Sequence, residues 1–339
     1  MDDNRRPGTD ERESVASFDD GIGATGRPGF RIRIIRNPRS HRNAGTPRPD
    51  TPAGVEVIEP SRRGDTARAL AHCKAAGTDC LVINGGDGTV RDVLTAGLEV
   101  FGDRWPVIGV LPRGKTNALA VDLGIPDNWR WSDFAERACN GRTVARRPLV
   151  LSRQDAAEPP VAGFLIGAGS FARGIEAAQD AHRIGMFGGM AVGMTVAWAV
   201  AQIIFGGAGN HWRRGQEMEI RLLPSGERLP HLGGGDADRR SLAVATTLRH
   251  LPLGLKPFGP ERDGLKLLVV DRARRRLYAS APFVLAGRDW RWLRDKGVHR
   301  RDAEGLLATF SERFILDGEF LPPGAWRIEQ GPQLRFLVP

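Results

Sequence analysis

A short apolar run at residues 80–83 ends in Asn84-Gly85-Gly86-Asp87-Gly88-Thr89 and passes directly into VRDVLTAGLEV, whose apolar residues recur at helical spacing. A strand that stops at a glycine-rich bend and resumes as a helix belongs to an open α/β sheet, which binds ligands beyond the carboxyl ends of its strands. The same order returns in the apolar run 107–111, the polar loop 112–117 and a helix over 116–123 closed by Gly124 and Pro126. Upstream, the alternation of RIRII after Phe30 predicts a strand that turns at Asn37-Pro38, and 55–58 reads as a second one. A helix with Asp65 as N-cap, Ala67, Leu70 and Ala71 on one face and Gly77 as its stop follows. Repeated strand, loop and helix predict a parallel sheet flanked by helices, a Rossmann-like α/β domain over 30–146.

At 339 residues the chain has length for two domains, and 41% hydrophobic residues supply their cores. Residues 1–29 mix both charges with Gly, Ser and Pro and carry no apolar stretch, so they predict a disordered tail and exclude a secretory signal. Beyond residue 147, short β-type runs at 161–166, 217–223, 242–248, 265–270, 276–281 and 313–316 predict a second domain of antiparallel β structure over 147–319. Among them, 184–209 has no charged side chain and is long enough to cross a bilayer, but its seven glycines and Gln202 favour one or two helices buried under the β layer. Cys73, Cys80 and Cys139 show neither C-x-x-C spacing nor a zinc pattern, which suits a reduced, cytoplasmic chain.

Lys and Arg outnumber Asp and Glu by 49 to 40, so an anionic partner is expected. Arg272, Arg274, Arg275, Arg276, Arg288, Arg291, Arg294, Arg300 and Arg301 lie around Trp290 and Trp292, a composition that suits an anionic membrane surface and equally a solvated face. No nucleic-acid fold motif accompanies this charge, so nucleic acid is not an expected partner.

The glycine loop is where chemistry is expected. Glycines let main-chain N–H groups reach a polyphosphate, and the helix that follows adds positive potential. Asp87 then makes sense as a holder of Mg²⁺ or water, or as an orienting group for a hydroxyl; a plain β-turn is the structural alternative. In the second loop Lys115 offers a point charge to a phosphate, while Asn117 either meets the ligand or caps the helix. Asp317-Gly318-Glu319 reads by itself as a hairpin turn. Gly167-Ala168-Gly169-Ser170-Phe171-Ala172 imitates a dinucleotide fingerprint, yet an uncharged run follows where a strand ending in an acid is required.

In their order, Asn37-Pro38-Arg39-Ser40, GGDGTV at 85–90, PRGKTNALAVDLGIP at 112–126 and Asp317-Gly318-Glu319 resemble the diacylglycerol kinase catalytic-domain family, bacterial-type lipid kinases related to sphingosine kinases and NAD kinases. The resemblance implies a nucleotide cleft between an α/β domain and a β-sandwich, with the segment of about 320–339 returning to the first domain. It implies ATP and Mg²⁺ as cofactors and a diacylglycerol-like lipid as substrate, on a protein peripheral to the inner membrane surface; a homodimer stays open. Asn37, Ser40, Gly85, Gly86, Asp87, Gly88, Thr89, Gly114, Lys115 and Asn117 would bind nucleotide. Asp317 would sit beside the metal, and Glu319, or else Asp87, would be the general base. Three positions depart from the family pattern: Lys115 replaces Thr, Ala118 replaces Asp and His41 replaces Gly. The departures imply rearranged phosphate contacts. A sphingoid-base or NAD kinase, or a non-catalytic lipid- or nucleotide-binding protein, are the alternatives.

Overall fold

A computed structural model describes residues 30–51, 54–137, 141–183, 215–232, 239–271, 277 and 279–339. The tail 1–29, the uncharged run 184–209, Cys139, and Arg272, Arg274, Arg275 and Arg276 lie outside the described residues.

The first part of the chain runs β1 (Ile32–Arg36), β2 (Glu56–Ile58), α1 (Arg63–Ala75), β3 (Cys80–Gly85), α2 (Asp87–Phe101), β4 (Val107–Pro112), α3 (Ala118–Asp122), α4 (Trp131–Arg137) and β5 (Thr143–Arg146). Its strands form one six-stranded sheet in the order β2-β1-β3-β4-β17-β5, where β17 is Leu334–Leu337 from the end of the chain. Pairings among β1, β2, β3 and β4 are all parallel. The chain leaves β1 for β2 on one side and reaches β3 on the other. Loops after β1 and β3 therefore diverge and open a crevice at the sheet's carboxyl edge. Every residue of β3 is buried, as a strand covered on both faces requires.

Helix α2 buries Val90, Val93, Leu94, Gly97 and Phe101, a stripe of helical period. In α1 the buried stripe is Thr66, Ala69, Leu70 and Cys73, not the predicted Ala67, Leu70 and Ala71. The helix starts two residues before Asp65. That residue is not the N-cap: it sits in the first turn and its carboxylate accepts the Arg62 N–H at 3.1 Å. Cys73 and Cys80 are buried thiols, and burial pushes the Cys73 thiol up to about 11.

The remaining strands are β6 (Leu149–Arg153), β7 (Val161–Gly163), β8 (Leu165–Gly169), β9 (Gln216–Leu223), β10 (Arg239–Thr246), β11 (Leu265–Asp271), β12 (Val298–Ala303), β13 (Gly305–Phe310), β14 (Phe314–Leu316), β15 (Glu319–Leu321) and β16 (Gly324–Gln330). They form one curled, antiparallel eleven-stranded sheet whose two halves meet at β9 and β10 and close over a shared core that includes Leu151, Ile220, Leu267, Phe314 and Trp326. Helix α5 (Ser170–Arg183) leaves β8, while α6 (Ala281–Leu285) and α7 (Arg291–Asp295) cover the face of β10 and β11. The predicted strand over 276–281 is not one: its described residues 277 and 279 are helical and lead into α6, where Leu277 and Val284 fill a satellite core with Leu293. Gly167 and Gly169 answer packing needs, since a Cβ on Gly167 would meet the Phe171 ring and Gly169 has a φ of +67° against the Ser241 carbonyl. Among the described residues no helix is long and apolar enough to cross a membrane.

The two sheets are joined by buried polar contacts. Asp122 of α3 pairs with Arg146 at 2.5 Å, both side chains being buried, and its other oxygen accepts the N–H groups of Arg249 and His250 at 2.6 and 2.7 Å. Removing one partner of such a cluster strands a buried charge. Asp122→Ala is therefore expected to lower the unfolding free energy in urea by about 3–5 kcal/mol, with Asp122→Asn recovering part of the loss.

Candidate active site

Three loops close over the crevice at the carboxyl ends of β1, β3 and β4. Their glycines have separate reasons. A Cβ on Gly85 would strike the Thr89 side chain, and one on Gly86 would lie 2.7 Å from the Gly114 Cα, so the second and third loops touch backbone to backbone. A Cβ on Gly88 meets nothing within 4 Å and points into open space at the start of α2. The absent side chains of Gly85 and Gly86 thus serve packing. That of Gly88 leaves room for a ligand.

Hydrogen bonds lace the loops together. Arg113 N–H donates to the Gly85 carbonyl at 2.9 Å and Arg42 N–H to the Arg113 carbonyl at 3.0 Å. Asn37 donates through Nδ2 to the Thr89 hydroxyl at 2.9 Å, and the Ser40 hydroxyl lies 3.4 Å from the same oxygen. Asn117, at a φ of +50°, accepts the Gly114 N–H through Oδ1 at 2.8 Å and returns a bond from Nδ2 to the Gly114 carbonyl at 3.2 Å. Its side chain fixes the loop and makes no cap bond to α3. Lys115, between them, is exposed.

Asp87 opens α2, and its carboxylate accepts the N–H groups of Asn117, Ala118 and Leu119 at the start of α3. Asp87 rather than Asn117 therefore caps α3. Burial pushes its carboxyl up to about 6 against the pull of those bonds. Asp317, at a φ of +46° in the turn between β14 and β15, accepts the N–H groups of Phe164 and Leu165 at 2.9 Å each. Burial first, and then the charge of Asp87, push the Asp317 carboxyl up to about 7. Glu319 begins β15 and pairs with Arg91 at 2.5 Å; Arg91 is 9% exposed and Glu319 35%.

Asp87, Asp317 and Glu319 thus gather where the first sheet's α2 meets the second sheet's β14–β15 hairpin. Thr95, two turns further along α2, ties the same helix to β7 by accepting the Ala162 N–H at 3.0 Å. Sequence reasoning missed Arg91. Its position four residues after Asp87 puts both side chains on one helix face, and that spacing is the signal that was there to be used. Among the described residues no group of three His, Cys, Asp or Glu is placed to hold a metal. Asp87 and Asp317, near enough for the charge of one to act on the other, nevertheless offer the one or two carboxylates with which Mg²⁺ is held, its shell being completed by water and phosphate oxygens.

An open α/β sheet with such a loop cluster at its switch point places the protein among the α/β proteins that bind ligands beyond the carboxyl ends of their strands. Residues 32–146, about a third of the chain, match the family described as the diacylglycerol kinase catalytic domain. The protein named "Probable lipid kinase YegS" from Shigella flexneri is 38% identical over 65 residues, 19% of this chain and 22% of its own length. Its counterpart from Escherichia coli O1:K1 / APEC matches to the same extent. The aligned stretch thus spans about a fifth of the length of these curated relatives. A crystal structure of a diacylglycerol kinase from Bacillus anthracis str. Sterne superposes with a TM-score of 0.60 at 15% identity, covering 92% of this chain and 99% of that one. It shows the shared fold.

Two outcomes follow from this geometry. Gly86→Ala must push the Gly114 loop away, so it is expected to lower the melting temperature by several degrees, whereas Gly88→Ala leaves stability within about 1 kcal/mol and weakens nucleotide binding at least about tenfold by calorimetry. Asp87 and Asp317 hold protons more tightly folded than unfolded, so the stability they contribute is complete below the ordinary carboxylate range and is lost as pH rises past about 6 and about 7. Urea unfolding of the ligand-free protein should therefore show a decline between about pH 4 and about pH 7 that is shallower in Asp87→Asn.

Proposed function

We propose that the protein is an ATP-dependent lipid kinase that transfers the γ-phosphoryl group to the hydroxyl of diacylglycerol or a similar lipid. The observation that carries the reading is the meeting of the glycine loop and Asp87 with the hairpin bearing Asp317 and Glu319, each from a different sheet. The match of residues 32–146 to the catalytic-domain family supports the phosphoryl donor, and the names of the relatives support a lipid acceptor.

Phosphoryl transfer asks for alignment of two reactants and neutralisation of the charge on the transferring group. The Gly88 position at the start of α2 opens onto free space, where a triphosphate tail would meet the positive end of the helix dipole. Exposed Lys115 adds a mobile cation beside it. Mg²⁺, held by Asp87 and Asp317, would supply further neutralisation of phosphate charge. Glu319 is the carboxylate suited to remove the acceptor's proton: it is a third exposed, and Arg91 orients it from the buried side. As the acceptor oxygen bonds to the γ-phosphorus, the bond to the bridging oxygen breaks, ADP leaves and the proton rests on Glu319.

Label from γ-labelled ATP is expected in the extracted lipid fraction. Glu319→Gln should lower turnover about 10²- to 10⁴-fold while calorimetric ATP affinity stays unchanged, and equal turnover in both proteins removes Glu319 as the base. Label on a sphingoid base or on NAD would reassign the acceptor. ATP binding with no labelled acceptor would make the chain a nucleotide-binding protein.

A further inference from the structure

Seven large apolar side chains are exposed among the described residues; Phe283 (47%), Trp290 (40%) and Trp292 (42%) stand together, and Leu253 (73%) and Leu255 (37%) lie in the 252–257 loop that is hydrogen-bonded to α6. Phe283 and Trp290 are in ring contact at 5.0 Å, and Trp290 and Trp292 lie 6.3 Å apart, so the aromatics form a continuous strip. Helices α6 and α7 turn Val284 and Leu293 into the satellite core and present this strip on the opposite side. Such short helices lie flat on the β10–β11 face with apolar residues on both sides. A solvated surface does not ask for that arrangement.

The face is held firmly. The Arg300 guanidinium donates to the carbonyls of Pro257 at 2.7 Å, Arg288 at 2.9 Å and Val284 at 3.1 Å, and Lys256 N–H donates to the Leu285 carbonyl at 2.8 Å. Loop 252–257, α6 and the turn before α7 are thereby one unit. Around the strip stand exposed Arg288, Arg291, Arg294 and Lys296, against Asp289 and Asp295. Asp289 is engaged by Arg300 at 3.3 Å and Arg294 at 3.9 Å. Cations therefore rim the aromatics.

We infer that this face is the surface by which the protein rests on an anionic phospholipid bilayer. The inference rests on the lipid-kinase reading for its occupant. Indole rings settle at headgroup depth, guanidinium groups pair with lipid phosphates, and each basic residue near an anionic surface adds roughly fivefold to partitioning. Charge selects the occupant: the rim sets Arg288, Arg291, Arg294 and Lys296 against only Asp289 and Asp295, which complements an anionic bilayer surface. Position agrees with this use. Residues 252–254 pack on α3, the helix that Asp87 caps, so the docked face continues into the wall of the cleft.

The test uses the full chain in a flotation assay with phosphatidylcholine vesicles, with and without phosphatidylglycerol. Wild type is expected to float with the anionic vesicles and to be released by salt. The triple charge reversal Arg288→Glu, Arg291→Glu and Arg294→Glu, and separately Phe283→Ala with Trp290→Ala and Trp292→Ala, should each lower the partition coefficient by about 100-fold or more, with circular dichroism and melting temperature unchanged. Phosphorylation of a monomeric short-chain lipid should be retained in both. Failure of the wild type to bind, or vesicle binding by both variants at the wild-type level, overturns the inference. A change of oligomeric state in the aromatic variant without loss of vesicle binding also overturns it, in favour of a second copy on this face. Patch-dependent binding by a protein that phosphorylates no lipid would uphold the docking surface and defeat the kinase reading instead.

Discussion

The close approach of Gly86 to Gly114 is the constraint on which the site depends. Adjacent parallel strands β3 and β4 end side by side, and their loops can share one crevice only if two backbones meet without side chains between them. Once they meet, α2 and α3 start next to each other with their N-termini facing the same way. The first residue of α2 then reaches the free N–H groups of α3, and Asp87 becomes a joint between loops as well as a charge in the crevice. The β1 loop joins through Asn37, Ser40 and Thr89. Three loops distant in sequence are thus fixed by contacts that need glycine at two places and a short hydrogen-bonding side chain at the others.

How far this could be read from the chain follows from the kind of contact involved. The α/β half was legible because β3 and β4 are continuous apolar runs, each followed at once by turn chemistry and a helical period. Such signals are local and survive any tertiary arrangement. The division of labour among the glycines was not legible, since whether a missing Cβ serves a phosphate or a neighbouring backbone depends on what lies across the gap. Asp65 and the α1 stripe failed for a related reason: a cap and a buried face are set by where the helix starts against the sheet, and a shift of three residues in the cap changes both. The supposed strand over 276–281 failed because short β-like apolar runs fit a helix equally well when a satellite core receives Leu277 and Val284.

Arg91 illustrates a further limit. A single arginine in a helix reads as a solvated residue, but this one is buried and pairs with Glu319, 228 positions later by residue number. The partner was identifiable only through the family motif. Once the hairpin is seen to return to α2, the spacing of Asp87 and Arg91 acquires meaning: one helix face meets two acids of the hairpin, repelling Asp317 through Asp87 and holding Glu319 through Arg91.

That hairpin is positioned by the second sheet and not by its own turn. Asp317 N–H donates to the Leu165 carbonyl at 2.9 Å while the carboxylate receives the Phe164 and Leu165 N–H groups, so the turn is bound to β8 from both ends. The chain then continues through β16 and ends as β17 inside the first sheet, where Phe336 is fully buried and meets the Phe164 ring at 6.3 Å. Phe164, whose N–H holds Asp317, is therefore also packed on the strand that the end of the chain inserts between β4 and β5. With Thr95 on β7 and Asp122 on the 249–250 segment, the walls of the crevice are tied at three separate places. An acid delivered by one sheet to the helix of the other needs such ties, because a shift of about 1 Å at a reacting centre costs on the order of 10²-fold in rate.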